Sequence, residues 1–162
     1  MKKQKICVIG DGLSGLTAAL ALSNLDIEVD FIIKNIQEKK TSDPRITAIS
    51  QSNFKFLIKY LDKKDAKLFW PCKKINLFYE KINHLYNFIN FSEDHKNLLY
   101  IIKNNDLKKI FLKKIKNKKN IKIINKEVKK VDTKNTCIQL GKKSYVYDLI
   151  LLCVGRSSKI IS

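Results

Sequence analysis

Gly10, Gly12 and Gly15 are the residues of this chain whose type and spacing best suit the binding of an anion. They stand in GDGLSG (10–15), directly after the apolar run ICVI (6–9) and directly before the helix formers LTAALAL (16–22). A strand that turns through GxGxxG into a helix is the arrangement that receives a dinucleotide pyrophosphate. Gly10 permits the tight turn out of the strand. Gly12 has no side chain to keep a phosphate off the backbone, and Gly15 lets the helix pack closely on the strand. Asp11 completes the loop. Leu13 and Ser14 lie where the helix begins, so that unpaired N–H groups and a partial positive charge face the ligand. The chemistry implied is binding and orientation, and the loop offers no nucleophile and no base.

In a nucleotide-binding βαβ unit, an acidic residue at the end of the second strand holds a ribose hydroxyl. That strand is read at IEVDFII (27–33), and the position falls on Ile33, with Lys34 next. Asp30 is three residues back, on the opposite side of a strand. Two readings stay open: looser adenosine binding, or a 2′-phosphate held by Lys34 as in an NADP site. Further on, Arg45 stands in DPRITAIS (43–50), a planar donor fork suited to phosphate or carbonyl oxygens. The bland reading is a surface arginine where a loop meets a helix.

The elements that must position these residues follow from periodicity. Residues 35–42 are polar and read as a loop, and 50–61 as an amphipathic helix with Phe54, Leu57, Ile58 and Leu61 on one face. Strand-like alternation with aromatics runs over 74–79 and 84–91, a second sheet inserted into the first domain. Phe69, Trp70, Phe78, Tyr79 and Tyr86 are read as its core. Residues 98–102 lead into an amphipathic helix at 105–115. Short strands follow at 121–124, 128–132, 136–140 and 144–147, and an apolar run at 149–154.

A chain of 162 residues with 44% hydrophobic residues can bury a core and suits one domain, or one with part of a second. The net charge of +18 raises nucleic acid as a partner, but only Arg45 and Arg156 among the 33 cationic residues carry the planar fork, and the lysines are spread evenly. A lysine-rich composition and no nucleic acid is the expectation. Weak attraction to an anionic membrane surface stays in view. No apolar run reaches a membrane span, and the basic start leads into the glycine loop rather than a signal-peptide core, so a cytoplasmic protein is expected. Cys7, Cys72, Cys137 and Cys153 form no CxxC pair, and neither His84 nor His95 has metal-ligand spacing; buried free thiols and no metal are expected.

Taken together, VIGDGLSGLTAALAL (8–22), DPRITAIS (43–50) and LLYIIKNNDLKKIFLKKI (98–115) resemble blocks of the flavin-dependent aromatic monooxygenases of the ubiquinone-biosynthesis hydroxylase group. That group is related to p-hydroxybenzoate hydroxylase. The resemblance implies an α/β fold: a glutathione-reductase-like Rossmann FAD-binding domain with an inserted partial β-sheet of a substrate domain. The segments would be 1–70 (FAD domain, first part), 71–102 (substrate-domain strands) and 103–162 (return to the FAD domain). It places Arg45 beside FAD and Val128 at a backbone contact to adenine. YDLILLCVGRSSKI (147–160) is similar to the family's D-L-x-V-x-A-D-G-x-x-S motif, with Asp148, Gly155 and Ser158 matching and Val154 in place of its acidic residue. Gly155 would allow a close approach of the cofactor. The activity implied is hydroxylation of an aromatic ring or quinone precursor, with NAD(P)H as electron donor and no catalytic side chain in this chain; the basic charge keeps peripheral association at the inner membrane surface in view. The match spans under half of a full-length member, so the chain is expected to be part of a longer protein. Another two-dinucleotide oxidoreductase (amine-oxidase-like or NADP-dependent) and a non-catalytic remnant of the fold are the alternatives.

Overall fold

The computed structural model describes residues 3–34, 43–92, 96–155 and 160. The expected loop at 35–42, His95, Arg156 and Ser158 therefore lie outside the described residues. By internal contacts the chain divides into two compact units, 1–42 with 107–162, and 43–106.

The first unit is built on a four-stranded sheet in the order β12-β1-β2-β8. Its strands are β1 (Lys5–Ile9), β2 (Glu28–Ile33), β8 (Ile121–Asn125) and β12 (Leu149–Leu152), and all of its pairings are parallel. The apolar run of β2 is buried from Val29 to Ile33, as expected for a parallel strand covered on both faces. One face carries α1 (Leu13–Leu22), which buries Gly15, Leu16, Ala19 and Leu20. The other face is covered by an antiparallel sheet of β9 (Val128–Asp132), β10 (Cys137–Leu140) and β11 (Lys143–Val146). Cys7, Ile9 and Ile32 meet Val128, Ile138, Leu140 and Tyr147 there. The carboxylate of Asp30 lies on this same face. It accepts a 2.8 Å hydrogen bond from the Tyr147 hydroxyl and pairs with Lys5 Nζ at 3.1 Å. A buried charge needs such partners. Asp148, the first residue of the closing motif, ties down the start of β1 by accepting a 2.6 Å hydrogen bond from the Lys5 backbone.

The second unit contains an antiparallel sheet in the order β3-β7-β4, formed by β3 (Ile46–Ser50), β7 (Leu99–Lys103) and β4 (Trp70–Cys72). Phe54 of α2 (Gln51–Leu57) stacks on Tyr100 at 3.7 Å between ring centroids and tilts against Phe69 at 5.1 Å. The helix read over 50–61 is shorter than expected: it passes into a 3-10 turn at Ile58–Tyr60, and a short α3 (Lys63–Ala66) follows. The hairpin of β5 (Lys74–Lys81) and β6 (His84–Ser92) is a separate two-stranded sheet. The last helix, α4 (Asn104–Lys116), has its first three residues in this unit and the rest in the first.

Two readings need correction here. No strand is expected from the sequence at 46–50 or 70–72, yet β3 and β4 form there, one on each side of β7. The aromatic residues assigned to a core also divide. Phe69 is buried, but Trp70 is 70% exposed, and Phe78, Tyr79 and Tyr86 are about half exposed. Trp70 lies on the edge strand β4, and Phe78, Tyr79 and Tyr86 lie on a two-stranded hairpin that has no second layer of its own to bury them.

Candidate functional site: a glycine loop at the end of a parallel sheet

The glycine loop lies at the carboxyl end of β1, where ligands bind in open parallel sheets. It also lies at the point where strand order reverses: the sheet runs from β1 to β2 on one side and to β12 on the other. Gly10 is in the left-handed backbone region, with φ of +123°. A Cβ placed on it would sit 2.3 Å from the carbonyl oxygen of Cys153, just past β12. A Cβ on Gly15 would sit 2.0 Å from the carbonyl oxygen of Gly10. Both positions are therefore closed to any side chain by backbone atoms. Gly10 N–H donates to the Ile32 carbonyl at 3.0 Å, and Cys153 N–H donates to Ile9 at 2.8 Å, which locks the loop between β2 and the end of β12.

Gly12 is different. Its backbone is extended (φ −73°, ψ 172°), and a Cβ there would meet nothing within 4 Å. It is the N-cap of α1, and no side chain caps the helix. Its first turn, which includes Leu13 and Ser14, carries no acidic residue. A helix N-terminus with an uncapped end and open space over the N-cap glycine suits a phosphate. A side chain at Gly12 would project into that open space. Asp11 is exposed on the loop. Gly155 also has open space around it, two residues beyond the backbone that abuts Gly10.

At the neighbouring strand end, Ile33 is 3% exposed and alternates away from Ile32, so that it faces the α1 side of the sheet. Lys34 is the exposed residue at the tip of β2, and its ammonium is held at 2.5 Å by Glu127. Glu127 stands in the polar stretch NKEV (125–128), which carries no binding signal of its own. It comes from the β8–β9 connection and reaches the tip only because β8 pairs with β2, a relation between segments about ninety residues apart. Val128 follows it, buried at the start of β9. Of the residues expected to bind, Gly10, Asp11, Gly12, Leu13, Ser14, Gly15, Ile33, Lys34, Val128 and Gly155 all belong to the first unit.

Arg45 belongs to the second unit. Its guanidinium makes a two-pronged contact with Asp43, Nε and an Nη each 2.8 Å from a carboxylate oxygen. Asp43 also accepts from the Arg45 backbone at 3.1 Å and from the Asn104 amide at 3.4 Å. Arg45 holds the Asp43 carboxyl well below the usual carboxylate range, and Asp43 raises the guanidinium in return. Asn104 in turn bonds Thr47, so the fork is braced within its own unit. The four thiols are free, and only Cys7 is fully buried; burial pushes its pKa up to about 12 and raises that of Cys153. His84 is exposed, with Nδ1 3.2 Å from the Ile82 carbonyl. No described helix is long and apolar enough to cross a membrane.

No family model matches the chain, and no curated protein matches it significantly in sequence. Solved structures do match it. The tetrameric form of 2-methyl-3-hydroxypyridine-5-carboxylic acid oxygenase has a TM-score of 0.70 at 18% identity, over 93% of this chain and 39% of that one. The p-nitrophenol 4-monooxygenase PnpA of Pseudomonas putida has a TM-score of 0.70 at 16% identity, over 98% of this chain and 42% of that one. The chain shares its fold with these oxygenases. CtdE, solved in complex with FAD, matches with a TM-score of 0.65 at 16% identity over 93% of this chain. This chain spans about two fifths of the length of each, 39%, 42% and 38%.

Proposed function

We propose that this chain is the FAD-binding portion of a flavin-dependent monooxygenase that hydroxylates an aromatic ring. The observation that carries the reading is the contrast inside the glycine loop. Gly10 and Gly15 are closed by backbone at 2.3 and 2.0 Å, while Gly12, at the uncapped start of α1, is open. A turn that served packing alone would have no need of an uncovered N-terminus beside it. Gly12, Leu13 and Ser14 would hold the pyrophosphate through backbone N–H groups, and Gly155 would leave room for the cofactor. FAD supplies the redox and oxygen chemistry, drawing electrons from NAD(P)H, and the protein supplies binding and orientation. By resemblance, the substrate is a prenylated quinone precursor of ubiquinone biosynthesis. The net charge of +18 would favour approach to the anionic membrane surface where such a substrate resides.

A second reading, a non-catalytic remnant of the fold, is favoured by Ile33, which buries an apolar side chain where a ribose carboxylate is expected. The visible spectrum of the purified chain, titrated with FAD, NAD and NADP, separates the two. Saturable FAD binding with a perturbed flavin band supports the flavoprotein. Absence of FAD binding by the folded chain, both alone and within any longer polypeptide that contains it, overturns it.

A further inference from the structure

At the carboxyl end of the parallel sheet, β2 should present a carboxylate to the ribose of a bound dinucleotide. Ile33 cannot do so, because its side chain is buried in the sheet. Yet the tip of β2 does carry a carboxylate. Glu127 is brought there by the β8–β9 connection and contacts Lys34 at 2.5 Å. The connection is fastened to the same spot. With its amide turned to satisfy its neighbours, Asn125 donates to the carbonyl oxygens of Ile33 (3.3 Å) and Lys34 (3.1 Å). The Glu127 side chain remains 62% exposed, so it keeps acceptor positions for a ligand while its orientation is set by Lys34.

We propose that Glu127 is the ribose-binding residue of this chain, and that Lys34 positions it rather than binding a 2′-phosphate. The inference rests on the flavoprotein reading above. A carboxylate bound to vicinal hydroxyls favours a free 2′-OH and repels a 2′-phosphate, while the ammonium that could have attracted the phosphate is already engaged. The site therefore selects FAD, ADP or NAD over their 2′-phosphorylated counterparts. The residue that does this comes from a strand edge that sequence counting does not reach.

The test is a fluorescence titration of the full chain with FAD, followed by displacement with ADP, 2′-deoxy-ADP and adenosine 2′,5′-bisphosphate. Glu127→Gln is expected to weaken FAD by roughly tenfold or more, the loss that accompanies a hydrogen bond to a charged group. It should also erase the preference for ADP over 2′-deoxy-ADP, which a merely structural change would leave intact. Lys34→Gln is expected to weaken FAD by only about two- to threefold, the scale of an exposed ion pair. Wild-type chain that binds FAD while Glu127→Gln binds it equally well overturns the inference and leaves the flavoprotein reading standing. So does a wild type that prefers the 2′,5′-bisphosphate to ADP. Wild type that binds no FAD, alone and within any longer polypeptide that contains it, overturns both.

Discussion

β2 and β6 are both rich in strand-forming residues, but they live in opposite environments. β2 is buried along its whole length after Glu28, between α1 on one face and the β9–β11 sheet on the other. Every residue of β6 is exposed. Its partner β5 adds Ile75, Leu77 and Tyr79 to one face, opposite Phe91, Ile89 and Tyr86, and the rings of Tyr79 and Tyr86 stack at 5.1 Å. The lesson concerns what a pattern specifies. Apolar alternation fixes which side chains share a face, and it says nothing of whether a second layer covers that face. The parallel sheet has both covers in the same unit, so its geometry is held to backbone precision. The hairpin holds its register through cross-strand pairs alone.

Substitutions at the two regions should therefore behave differently, and the glycine loop offers the sharpest break. Gly15→Ala pushes a methyl into a carbonyl oxygen, and a loss of more than about 3 kcal/mol in urea unfolding is expected. Gly12→Ala should cost at most about 1 kcal/mol, the difference between these residues at an N-cap, yet abolish FAD binding in the spectral titration. Equal effects on stability would erase the distinction between closed and open glycines. Next in size is Ile33→Glu, which buries a carboxylate in the sheet. A destabilisation of about 2–4 kcal/mol with no gain in FAD affinity is expected, by thermal melting and titration together.

Tyr147→Phe leaves Asp30 with Lys5 alone and should cost about 1–3 kcal/mol at neutral pH. The same cluster sets an alkaline limit. Burial pushes the Cys7 thiol from its ordinary value of 9.0 up to about 12, and burial beside Asp30 raises Tyr147 as well. A raised folded pKa gives stability that is whole below the unfolded value and is lost as the pH rises through the folded one. The midpoint of urea unfolding should therefore fall steadily above about pH 9, and less so in Cys7→Ala. The acid side has the opposite sign. Asp43 is depressed by Arg45, so its contribution is whole above the ordinary carboxylate value of 3.8 and disappears as the pH falls below it. Asp43→Asn should flatten the acid limb of the stability curve. Smallest of all, Phe88→Thr on the exposed hairpin should change stability by less than about 1 kcal/mol, with β-structure retained by circular dichroism.

Much of the first unit was legible in the sequence because its signals are local. A glycine spacing, an apolar run and a helical stripe each declare themselves within fifteen residues, and β1, α1, β2, α4 and the strands from β8 to β12 were found in this way. The second unit hid β3 and β4. ITAIS follows a proline and mixes small and polar residues, and WPC carries a proline that only an edge position tolerates. Both become strands because β7 lies between them. At the site, the loop was readable, but the partner of Lys34 was not. Glu127 is an ordinary polar turn residue until the pairing of β2 with β8 brings it to the tip of a strand made much earlier.

That pairing also imposes a timetable. The parallel sheet joins β1 and β2, complete by residue 33, to β8 and β12, the last of which ends at residue 152. On a ribosome adding about 5–20 residues per second, the open edge of β2 waits on the order of 5–18 s for β8, and that of β1 on the order of 6–24 s for β12. A nascent chain halted after residue 116 should thus hold a finished glycine motif on an unfinished sheet, and be a strong client for chaperones that bind exposed β-edges.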